Sequence, residues 1–107
     1  MRKAKVYLMA EYVGQLEELD RGHRFTYDKA YLNSKNPEAV SLTLPVREEP
    51  YETERELHPF FDGLIPEGWL LQLALGVHNV ELRDRFGLLL ATGADPIGAA
   101  RIIPEHE

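Results

Sequence analysis

Residues 58–75 read HPFFDGLIPEGWLLQLAL. They hold two of the four Phe, the only Trp, two Pro and six Leu or Ile. Pro66 suits the first turn of a helix, where a missing N–H leaves no bond unmade. Residues 67–75 then predict a helix too apolar for an ordinary surface position. An amphipathic helix needs an apolar face of only about 100°. Here Trp69 with Leu73, and Leu71 with Leu75, form adjoining rows, and only Glu67 and Gln72 are polar. Either this helix is the centre of the core or its second side is covered by something else.

Working outward, residues 54–61 predict a first helix interrupted by Pro59, and residues 47–53 a charged loop containing Pro50. Residues 40–46 give the clearest strand signal. Val40, Leu42, Leu44 and Val46 alternate with Ser41, Thr43 and Pro45, the period of a sheet with one wet face. Pro45 ends the strand or places it at an edge. Upstream, residues 4–9 and 12–19 read as two strands joined around Ala10 and Glu11. Asp20-Arg21-Gly22 is a turn signal. His23, Phe25 and Tyr27 share one side of a third strand, completing a meander. Residues 29–34 predict a helical turn, ended by Asn36-Pro37. Downstream, Asn79 is the expected N-cap of the last helix, with Glu81 in its first turn. Its core stripe is Leu82, Phe86, Leu89 and Leu90. Gly93 suits the C-cap, Asp95-Pro96 the next turn, and residues 98–103 a closing strand. The expected class is α+β: a mostly antiparallel small sheet with about three short helices.

At 107 residues the chain is read as one domain, 1–107, with a single modest core. It is 44% hydrophobic and 28% charged, an ordinary soluble composition. A net charge of −6 argues against sequence-independent nucleic-acid binding, which needs a dominant Lys/Arg surface. The acids at 48, 49, 52, 54 and 56 form either a solvated loop or an acidic rim for a basic partner. With no Cys there is no disulfide and no thiolate chemistry. The N-terminal apolar run is broken by Glu11, too early for a signal peptide or a membrane span. A cytoplasmic location is expected.

The residues offer little catalytic chemistry. His23, His58, His78 and His106 are scattered and make no metal-ligand spacing. No phosphate-binding glycine loop is present. Ser34 and Ser41 sit in no nucleophile elbow. Asp62, Glu67, Asp84 and Asp95 each have a simpler role in a turn, a helix start or the surface. The chain reads as non-enzymatic, with no cofactor and no metal. Function then falls to a surface, and the surface of interest surrounds Trp69.

Several blocks carry a resemblance to a known family. They are Val13-Gly14-Gln15-Leu16, Phe25-Thr26-Tyr27 and Ser41-Leu42-Thr43-Leu44-Pro45. They continue with Phe60-Phe61-Asp62-Gly63-Leu64-Ile65-Pro66-Glu67-Gly68-Trp69, Arg85-Phe86-Gly87-Leu88-Leu89 and Gly93-Ala94-Asp95-Pro96-Ile97-Gly98-Ala99. In this order the chain resembles the N-terminal subdomain of the HipA-type Ser/Thr kinases, the toxins of Hip toxin–antitoxin systems. The combination of the FFDGLIPEGW block with the GADPIGA block is the specific part. The first hairpin connection is shorter than in the family.

A HipA kinase continues into a nucleotide-binding loop, a catalytic Asp and metal ligands. This chain ends at Glu107 without them, so the resemblance implies no kinase activity of its own. Its Met1 start and polar tail suit a free-standing product, similar to HipS of the tripartite HipBST systems. There the subdomain is an antitoxin, the kinase toxin HipT lacks it, and HipB is the helix-turn-helix DNA-binding member. The implied partners are a HipT-like kinase and a HipB-like protein, with no direct DNA contact and no membrane. The resemblance also implies that translation is spared, because the family's kinases target aminoacyl-tRNA synthetases. The expected partner-binding residues are Ile65, Glu67, Gly68 and Trp69. Trp69 is either a binding anchor or a core residue. The alternative function is a non-inhibitory structural or assembly subdomain, or an excised fragment, of such a kinase.

Overall fold

The structure is a computed structural model, and it describes residues 1–65, 76, 83–93 and 100–105. Five strands form one antiparallel sheet: β1 (Lys3–Leu8), β2 (Glu11–Glu18), β3 (His23–Tyr27), β4 (Tyr51–Thr53) and β5 (Ala100–Pro104). Their order is β4-β3-β2-β1-β5, so the closing strand returns to the free edge of β1. The described helices are α1 (Lys29–Leu32), α2 (Pro59–Asp62) and α3 (Arg85–Thr92). The α+β expectation and the opening meander both hold.

Strand alternation builds the core. Ala4 and Val6 of β1, Leu16 of β2, Phe25 and Tyr27 of β3, and Ile102 of β5 are buried. Register aligns them in rows across the sheet: Ile102–Val6–Gly14–Tyr27 is one, and Ala4–Leu16–Phe25 is another. Gly14 makes room for the Phe25 ring, because a Cβ there would sit 2.9 Å from a ring carbon and 2.5 Å from the Thr26 carbonyl oxygen. A bulge between Val6 and Tyr7 shifts the β1–β2 register, which lets Val13 also turn inward. Phe61 of α2 and Phe86, Leu88 and Leu89 of α3 close the other side of the core.

Four expectations are corrected. Residues 40–46 are not a strand. The chain turns there, with the Leu44 amide donating to the Ser41 carbonyl at 3.0 Å. Ser41 Oγ accepts from the Thr43 amide at 3.2 Å, the local bonding by which Ser competes with a ladder. Val40 and Leu44 are buried, but Leu42 between them is 99% exposed. The Tyr27 hydroxyl takes the place of a strand partner: it accepts from the Val40 amide at 3.1 Å and donates to the Leu44 carbonyl.

The charged loop conceals β4, whose three residues are too few to show a period. It pairs Tyr51 with Phe25 and Glu52 with Arg24, and an Arg24–Glu52 ion pair of 2.8 Å supports the edge. The helix expected over 54–61 is confined to α2. Pro59 starts it, as Pro does at a first helical position, and His58 caps it through Nδ1, which accepts from the Phe60 amide at 3.1 Å. The last helix begins at Arg85 with Asp84 as N-cap rather than Asn79. The Asp84 carboxylate accepts from the Gly87 amide at 3.1 Å, as an N-cap does. Gly93 is its C-cap, as expected. The helix predicted over 67–75, Asn79, Leu82 and the Asp95-Pro96 turn lie outside the described residues.

Candidate functional site

The end of the sheet where β2 passes to β3 faces the starts of α2 and α3. Arg2, just before β1, holds this corner together. Its guanidinium meets Glu18 at the end of β2 (Nε to Oε1 3.0 Å, Nη2 to Oε2 2.7 Å). It also meets Asp84, the cap of α3 (Nη1 to Oδ2 3.0 Å, Nη2 to Oδ1 2.8 Å). It lies 5.4 Å from the Phe86 ring centroid, within cation–π range. Hydrogen bonds from Arg2 hold the Glu18 and Asp84 carboxyls below the usual carboxylate range, so both remain ionised. That suits clamps rather than proton donors. Arg85 ties α3 to α2 through Asp62, with Nε to Oδ1 at 2.7 Å.

These groups border a cavity of about 690 Å³, lined among others by Glu18, His23, Arg55, Asp62, Arg83 and Phe86. His23 stacks on Phe86 at 5.6 Å, and its Nδ1 is buried without a hydrogen-bond partner. Arginines and carboxylates both line it, so the cavity favours neither sign of ligand. Among the described residues no group of three or more His, Asp or Glu is placed to hold a metal ion. None of their helices is long and apolar enough to cross a membrane.

Of the residues expected to bind a partner, Ile65 is 4% exposed and belongs to the core cluster with Phe61. Glu67, Gly68 and Trp69 lie outside the described residues. Two of the motif blocks do meet in space: Asp62 of the first pairs with Arg85 of the second, and Phe61 and Phe86 both enter the core. Sequence reasoning missed the Arg2 clamp. Its partners stand 16 and 82 residues away, and no local pattern marks such a bond.

The comparisons with known proteins agree with this architecture. The sequence matches the HipA N-terminal domain family over residues 4–103. The structure is similar to a solved N-terminal domain of HipA toxin, with a TM-score of 0.75 and 31% identity, covering 100% of this chain and 95% of that one. An uncharacterized protein of Haemophilus influenzae is 33% identical over 107 residues, 100% of this chain and 96% of that protein. The candidate kinase Y4mE of Sinorhizobium fredii is 33% identical over 108 residues, and there the chain spans only 26% of the relative's length. The blocks that pair through Asp62 and Arg85 fall inside the matched region, and the antiparallel sheet they pack on is the fold of the solved relative. The chain therefore belongs to the HipA N-terminal domain family.

Proposed function

We propose that this chain is a HipS-like antitoxin, which binds a HipT- or HipA-like Ser/Thr kinase and restrains it without catalysing anything itself. One observation carries the reading. The same unit occurs as nearly the whole of a small protein in Haemophilus influenzae and as about a quarter of a candidate kinase in Sinorhizobium fredii. A unit that packs on a kinase within one chain keeps the matching face when it is a separate chain. The contact then becomes intermolecular and open to regulation. The net charge of −6 favours encounter with a basic, nucleotide-binding partner and disfavours direct DNA contact. A HipB-like helix-turn-helix protein completes the complex and supplies its DNA binding.

Of the four residues expected at the contact, Ile65 is buried in the core, and the contact runs through Glu67, Gly68 and Trp69. Ile65 anchors the segment in the core, and Trp69 supplies the binding energy, as Trp does at many hot spots. The test is co-expression with the HipA-type kinase of the same organism, with growth as readout. The wild-type chain should restore growth. Trp69→Ala should keep its melting temperature, lose about 30- to 1000-fold in affinity and fail to restore growth. A wild-type chain that leaves the kinase toxic contradicts the antitoxin reading. The relative in which this unit is only part of a longer candidate kinase favours a second reading, a non-inhibitory assembly subdomain. It is recognised by a chain that co-purifies with the kinase yet leaves it active.

A further inference from the structure

Met1, Met9 and Leu42 are the large apolar side chains exposed among the described residues. Scattered surface apolar groups need no explanation, and Met1 is terminal. Leu42 and Met9 differ because the backbone is built to present them. Leu42, 99% exposed, tops a turn whose two flanks, Val40 and Leu44, are both buried. The Tyr27 hydroxyl bonds both flanks from below. Ser41 and Thr43 brace the tip through their side-chain oxygens at 2.9 Å. The exposed Leu is thus pre-organised rather than loosely tethered, and a polar residue would serve the turn equally well.

Met9, 71% exposed, lies in the two-residue connection between β1 and β2 with φ 58°. That left-handed conformation favours Gly or Asn and penalises Met. Folding alone gives no reason for Met there. Met9, Glu11, Tyr31 and Glu38 line one shallow cleft of about 410 Å³. The charged side chains lining this cleft are both acidic. An occupant that complements it presents an apolar socket edged by Lys or Arg.

We infer that Leu42 and Met9 are two apolar anchors for the kinase, with basic side chains of the kinase meeting the acidic cleft at Met9. The inference rests on the reading of the chain as a kinase partner and adds a contact outside residues 65–69. The kinase is the occupant to which the relatives point. In Sinorhizobium fredii the matching unit is 26% of a candidate kinase, so the remainder of that polypeptide adjoins it.

The experiment measures binding of the purified chain to the HipA-type kinase of the same organism by calorimetry. Leu42→Ser should keep the wild-type melting temperature, since the side chain touches little, and weaken binding at least about 30-fold. Leu42→Met should restore affinity to within about 3-fold, because Met adapts to an apolar socket. If wild type binds and Leu42→Ser binds equally well, the anchor inference is overturned while the kinase-partner reading stands. If wild type does not bind at all, both fall.

Discussion

Tyr27→Phe tests the account of residues 40–44 most directly. The change removes one oxygen and leaves the ring in place. The lost hydroxyl accepts from the Val40 amide at 3.1 Å and donates to the Leu44 carbonyl, and both bonds are buried. Burial raises the ionisation of this phenol above its ordinary range, so the proton needed by Leu44 stays on the oxygen. Each buried backbone group left unpaired costs about 1–3 kcal/mol. Two such groups, with partial relaxation of an exposed turn, give a loss of about 2–4 kcal/mol. At about 4–8 °C per kcal/mol for a domain near this size, the melting temperature should fall by roughly 8–32 °C. Urea unfolding should show a lower midpoint with an unchanged slope. Hydrogen exchange should show the Val40 amide losing protection. Tyr31→Phe is the control, because its hydroxyl meets the Glu38 amide and carbonyl, both at 2.7 Å, at a site less buried than that of Tyr27. It should cost about 1 kcal/mol or less. A Tyr27→Phe protein within about 0.5 kcal/mol of wild type, or less affected than Tyr31→Phe, would refute the argument that this hydroxyl replaces a strand partner.

Stability should decline on the acid side in two stages. Burial lowers the His58 ionisation, so its contribution is present above the unfolded value near about 6.5 and is lost as pH falls below it. Glu18 and Asp84, lowered chiefly by hydrogen bonds from Arg2, contribute above about pH 4 and lose that contribution as pH falls further. Arg2→Met should cost about 1 kcal/mol at pH 7, discounted for solvent exposure, and flatten only the second stage; chemical denaturation from pH 3 to 8 checks both. Gly22→Ala should cost roughly 2–3 kcal/mol by urea denaturation, since Gly22 has φ 95° and a Cβ would fall 1.8 Å from the Thr53 carbonyl oxygen. Met9→Gly should raise stability by about 0.5–1 kcal/mol in a thermal melt by relieving the left-handed Met, and should weaken kinase binding at the same time.

The sequence by itself determined the elements whose signal is local. The β1–β2–β3 meander was legible from period-two alternation and the Asp20-Arg21-Gly22 turn, because each of those strands is long enough to show its period. The C-cap at Gly93 and the closing strand were legible for the same reason. The family was legible in blocks such as Phe60–Gly63 and Arg85–Leu89, although their order along the chain says nothing of the Asp62–Arg85 bond that joins them. Tertiary structure decided the rest. Residues 40–46 carry a strand's alternation, yet the Tyr27 hydroxyl, 13 and 17 residues away, satisfies their backbone and turns Leu42 out to solvent. β4 exists because β3 offers an open edge, not because three residues prefer to be extended. The last helix starts at Arg85, where Asp84 caps it while also meeting Arg2 from before β1, a bond 82 residues away in sequence. In each case the local preference is a fraction of a kcal/mol to about 1 kcal/mol, and a buried hydrogen bond or an ion pair formed across the fold outweighs it.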